Sequence, residues 1–104
     1  VELINRTMIE LYADSDKPVF LGGDMNAQPG SEMMLEFEKH WKLLSTVSER
    51  SVQDRMVCID FVLQFKNKAP IVEVVNAHSI LYSNAGDMWK ASDHFPIYVD
   101  VKLP

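Results

Sequence analysis

The chain has 104 residues, which is enough for one small domain. Hydrophobic residues make up 47% of it, so a packed core is within reach, and no run approaches the roughly 20 apolar residues that cross a bilayer. A formal net charge of −5 with no Lys/Arg cluster counts against an independent nucleic-acid-binding module, which needs a basic stripe. It does not count against a metal enzyme, because a bound cation inverts the local field.

The N-terminus shows no basic start, apolar run and small-residue cleavage site, so no secretory signal is read there. The chain opens on Val1 rather than Met, inside a predicted helix, which reads as a processed or truncated start. Val1, Ile4, Met8, Leu11 and Tyr12 recur at helical spacing and predict a helix over 1–13 with those residues on its buried face. Asp14 to Pro18 breaks it. Val19-Phe20-Leu21-Gly22 then reads as a short buried strand, and Asp24 to Gly30 as a polar loop. Ser31 is a good N-cap and Glu32 suits a helix N-terminus, so a second helix is expected to about His40.

Residues 45–55 are polar and read as irregular. Val57 to Phe65 alternates as a strand, with Ile59, Phe61, Leu63 and Phe65 on one face and Asp60, Val62 and Gln64 on the other. A turn over 66–70 leads to a strand at 71–78, a loop at 83–95 containing Gly86, and a last strand at 96–103. The single cysteine, Cys58, lies in the apolar run Met56-Val57-Cys58-Ile59 and reads as a buried structural thiol. The sum is an α+β fold: a mixed sheet of about four strands with two covering helices.

Three places can carry chemistry. In Gly22-Gly23-Asp24-Met25-Asn26 an acid and an amide stand two residues apart just past a strand, at the rim of a sheet, where sites are commonly built. A calcium loop beginning at Asp24 is excluded, because its sixth and twelfth positions hold Pro29 and Leu35 where Gly and Glu are required. Asp60, between Ile59 and Phe61, is costly in an apolar strand without a histidine or cation as partner. In Ser92-Asp93-His94-Phe95-Pro96 an acid and an imidazole are adjacent before the last strand, where Pro96 is tolerated. His40 and His78 read as ordinary positions near element ends.

Each segment alone is unspecific. Strand-Gly-Asp24-x-Asn26, then Ile-Asp60-Phe-Val in a strand, then Ser-Asp93-His94-x-Pro before the final strand, in this order and at similar spacing, resembles the endonuclease/exonuclease/phosphatase superfamily of metal-dependent phosphoesterases, the DNase I-like fold. The resemblance covers about residues 18–104, with Met25 in place of a usual aromatic residue and Phe61 in place of a frequent Tyr. It implies hydrolysis of a phosphodiester or phosphomonoester by activated water, with Mg2+ or Mn2+ as cofactor. On that reading Asp24, Asn26, Asp60 and His94 are catalytic. Asp24 orients or deprotonates the water, and Asn26 contacts the phosphate or the nucleophile. His94 donates to a phosphoryl oxygen, and Asp60 holds the His94 ring in its working tautomer. Asp93 and Asp24 serve the metal, while Asn26 and His94 bind substrate. Such chemistry needs fixed donors where charge builds on the phosphoryl oxygens.

The family is substantially longer, and its N-terminal half supplies an Asn and the main metal-binding Glu. No segment matches those, so residues 1–104 correspond by resemblance to the C-terminal part of one phosphoesterase domain, half of a four-layer α/β/β/α sandwich. The complete protein is then the enzyme, and this chain alone is expected to be inactive. A non-catalytic fold remnant used for interaction is the alternative. Besides the phosphate-ester substrate, the expected partner is the missing half or a second copy of the chain, covering a face left open on the strands.

Overall fold

The first element is the helix α1, Glu2–Tyr12. Its buried stripe is turned from the expected one. Val1 and Met8 pack on the core and Asn5 is buried between them, whereas Ile4, Leu11 and Tyr12 are exposed. The cause is the amide of Asn5. It accepts the Trp41 Nε1–H at 2.7 Å and donates to the Glu36 carbonyl at 3.1 Å, so a polar residue anchors the helix. Strand β1, Phe20–Asp24, follows, then helix α2, Glu32–Glu38, with Ser31 as N-cap accepting the Met34 N–H. The remaining strands are β2 at Trp41–Leu43, β3 at Asp60–Phe65, β4 at Glu73–Ser79 and β5 at Ile97–Lys102. The computed structural model describes residues 1–52, 56–81 and 92–103, so most of the expected loop at 83–95, with Gly86, lies outside the described residues.

The α+β class holds, but the single mixed sheet does not. Among the described residues the strands form two antiparallel sheets, one ordered β1-β3-β2 and one pairing β4 with β5. Strand β2 has only three residues and no turn signal around it, so its sequence offers no period to read. The split between sheets is tied by Gln64. It is fully buried, with its amide donating to the Pro70 carbonyl at 3.0 Å and accepting the Val72 N–H at 2.9 Å. That glutamine therefore folds the 66–72 link back over its own face of β3, which the alternation alone presents as a solvated face.

The core gathers Met34, Phe37, Trp41, Cys58, Phe61, Leu63 and Phe65. The Trp41 and Phe65 rings meet edge-on with centroids 5.2 Å apart, a favourable aromatic arrangement. The row Ile59, Phe61, Leu63, Phe65 is buried within the chain. Exposed apolar side chains lie elsewhere. Leu3 and Leu11 mark α1, and Val75, Val101 and Leu103 mark β4, β5 and its end. No helix among the described residues is long and apolar enough to cross a membrane.

Candidate active site

β1 and β3 are antiparallel, so the end of the first and the start of the second lie at one edge of the sheet. Their register sets Asp24 directly opposite Asp60. Like charges facing each other across a ladder destabilise it, so this pair needs a cation or a proton nearby. Two backbone features shape the Asp24 side. Gly23 has φ +143°, a conformation L side chains rarely adopt. Asn26 has φ +48°, which Asn tolerates, and its N–H donates to Asp24 Oδ1 at 2.7 Å, closing an Asx turn.

His94 fills the gap between the carboxylates. Its Nδ1 lies 2.7 Å from Asp60 Oδ2, and its Nε2 lies 3.7 Å from Asp24 Oδ2. A carboxylate only accepts, so Nδ1 carries the proton and Asp60 fixes the ring orientation. The backbone holds the loop in place: the His94 N–H donates to Ser92 Oγ at 3.1 Å, and Val52 bridges His94. The hydrogen bond that the His94 ring donates to Asp60 raises the His94 pKa above the usual histidine range. Partial burial works against that rise, and the charges of Asp60, Asp24 and Asp93 support it. The Asp60 side chain is 14% exposed and that of His94 29%, so the pair is shielded yet open at one side.

Of the residues singled out in the sequence, Asp24, Asp60 and His94 come together, with one ligand atom from each within 4.8 Å of the others. Asn26 stands exposed beside them on the turn. Asp93 does not join the cluster: it is exposed, and its charge reaches His94 only as the smallest of the influences raising its pKa. His78, assigned no role, is paired with Glu49 at 2.8 Å, an exposed link between β4 and the 46–50 segment. Cys58 is buried, and desolvation followed by the Asp60 charge raises its thiol pKa, so it stays protonated and inert. Nothing in the sequence marks Ser51, which is fully buried against the site.

Comparison with protein-family models, with curated proteins and with solved structures found no match to this chain. The donor chemistry of the cluster itself bears on a metal. Magnesium takes near-octahedral oxygen ligands and suits one or two carboxylates with water and substrate phosphate. Here Asp60 is engaged by His94, and an imidazole that favours its proton is a poor ligand. Asp24 is the more exposed of the two facing carboxylates, with Oδ1 already accepting the Asn26 N–H, so these residues fit magnesium only as the edge of a site.

Proposed function

We propose that this chain takes part in the hydrolysis of phosphate esters, with Asp24, Asp60 and His94 as its reactive group. The observation that supports this reading is the bracketed imidazole. Asp60 holds Nδ1, and Nε2 faces Asp24 at the open edge of the sheet. A protonated His94 is then a fixed donor for a phosphoryl oxygen, acting where negative charge develops. Asp24, within reach of the same space, orients or deprotonates the attacking water. Asn26 contacts the phosphate or the nucleophile. Asp60 acts through His94 by fixing its tautomer. A divalent cation, Mg2+ or Mn2+, belongs to this reading through the motif resemblance, which would have Asp24 and Asp93 hold it and the cation supply charge stabilisation for the phosphoryl oxygens. The same resemblance makes this chain the C-terminal part of the catalytic domain, in which further ligands come from upstream.

The test is hydrolysis of bis-p-nitrophenyl phosphate and of p-nitrophenyl phosphate by the full-length protein with Mg2+ or Mn2+. Metal-dependent turnover is expected, falling about 100-fold or more in His94→Ala, as loss of a donor to developing charge implies. Residues 1–104 alone are expected to turn over negligibly. Equal rates in wild type and His94→Ala would overturn the assignment. One observation favours a second reading, a non-catalytic interaction module: the exposed apolar side chains of Leu3, Leu11, Val75 and Leu103. A folded full-length protein without hydrolytic activity would select it.

A further inference from the structure

We infer that Ser51 is the positioning residue of the Asp60–His94 pair, clamping the two backbone segments that carry those side chains. The role rests on the reading of that pair as reactive, but the clamp itself stands on geometry. The Ser51 hydroxyl accepts two backbone N–H groups, from Ile59 at 3.0 Å and from Asp60 at 3.2 Å. These are the residues that lead into β3 at the site. Its own carbonyl accepts the Phe95 N–H at 2.8 Å, one residue beyond His94. Its own N–H donates to the Val57 carbonyl at 2.9 Å. Ser51 is fully buried, and the next residue, Val52, bridges His94.

One residue thus touches both halves of the pair through four hydrogen bonds. The start of β3 leaves the Ile59 and Asp60 donors facing Ser51 rather than a strand partner. Two donors without a strand partner at a buried position are costly unless something accepts them. A hydroxyl has two lone pairs and meets both at once; alanine meets neither. Ser45 supplies the comparison. It is also buried, and its hydroxyl accepts the Val62 N–H at 2.9 Å in the same strand, but among the described residues no hydrogen bond of its own joins it to the segment bearing His94. Loss of Ser45 costs stability; loss of Ser51 costs stability and the alignment of the pair. Misplacement of a reacting group by about 1 Å is enough to lower a rate by one to two orders of magnitude.

The experiment compares Ser51→Ala, Ser51→Thr and Ser45→Ala in the full-length protein. Long-range 1H–15N spectra of the His94 ring are recorded at alkaline pH, where neutral imidazole reveals its tautomer. Wild type, Ser45→Ala and Ser51→Thr are expected to hold the Nδ1–H tautomer. Ser51→Ala is expected to show mixed tautomers, with kcat on bis-p-nitrophenyl phosphate lower by about tenfold and KM changed less. Should Ser51→Ala fail to fold, Ser51→Cys keeps the volume with a much weaker acceptor and is expected to behave in the same way. A pinned tautomer in Ser51→Ala, or in Ser51→Cys where that variant is needed, overturns the proposal; so does equal mixing in Ser45→Ala. If wild type hydrolyses nothing, the phosphoesterase reading falls, while the tautomer result still decides whether Ser51 positions the pair.

Discussion

Replacing Asp60 by Ala removes the acceptor of the His94 ring and one of the two carboxylates that face each other across β1 and β3. A hydrogen bond to a charged group contributes about 1.5–3 kcal/mol, and relief of a like-charge cross-strand pair returns about 0.2–1 kcal/mol. The net cost is then about 1–2.5 kcal/mol in mildly acidic solution, a fall in Tm of about 5–15 °C for a domain of this size. The pH dependence is more telling than the size. The His94 pKa is raised in the fold, first by its hydrogen bond to Asp60. A raised pKa means that the folded state holds the proton more tightly than the unfolded chain. That stability is fully present below the ordinary histidine pKa of about 6.5, and it is lost as pH rises through the raised value. Urea unfolding of wild type and Asp60→Ala between pH 5.5 and 9 is the assay, with m-values compared to verify that both unfold alike. The gap between the two proteins is expected to be largest near pH 5.5 and to narrow toward pH 9. A constant gap over that range would refute the coupling of His94 to Asp60.

Asn5→Ala strips the buried Trp41 Nε1–H of its acceptor and should destabilise the fold by about 1–3 kcal/mol, read by the same urea unfolding; a change below about 0.5 kcal/mol would show that the amide does not anchor α1. Gly23→Ala meets no atom within 4 Å but must adopt φ +143°, so a loss of about 1–3 kcal/mol is expected from backbone strain alone. A neutral result at Gly23 by thermal unfolding would mean that the turn before Asp24 relaxes freely.

The parts of the fold legible in the sequence are those where one local signal acts without competition. Ser31 caps α2 as its side chain predicts, and the alternation of Phe61, Leu63 and Phe65 marks a core-facing strand row. The failures have a common physical origin: a polar side chain with a partner distant in the chain. Asn5 turns α1 away from its apolar stripe because Trp41 and Glu36 stand 36 and 31 residues away, ready to satisfy it. Gln64 reads as a solvated strand position and is instead fully buried, satisfied by the 66–72 link. The same divide runs through the site. Asp60 and His94 are legible because a carboxylate in an apolar strand demands a partner and an imidazole is the natural one. Ser51 is not, because a serine in a polar stretch carries no mark of the two amides it will accept.

The Asp24–Asp60 register weighs against a purely structural origin for this cluster. A sheet end is more stable with one of two facing carboxylates replaced by a neutral residue, since the repulsion costs and neither charge is needed for the ladder. A structural ion pair would need only Asp60 with His94, which already satisfy each other at 2.7 Å. Asp24 lies farther from the ring, at 3.7 Å, and its side chain is about half exposed, so its attraction to His94 contributes little to stability. It is nevertheless held in place by the Asn26 amide and by a glycine whose backbone few residues can adopt. Local rules are broken in folded proteins chiefly where chemistry requires it. Here one such departure, a facing like charge, falls within four residues of one strand end together with a left-handed Asn and a positive-φ Gly that shape the turn. Their joint effect is to aim a second carboxylate at the open nitrogen of an imidazole already fixed from behind. Stability alone does not call for that arrangement, whereas the proton transfer to or from a bound water that we propose would use it.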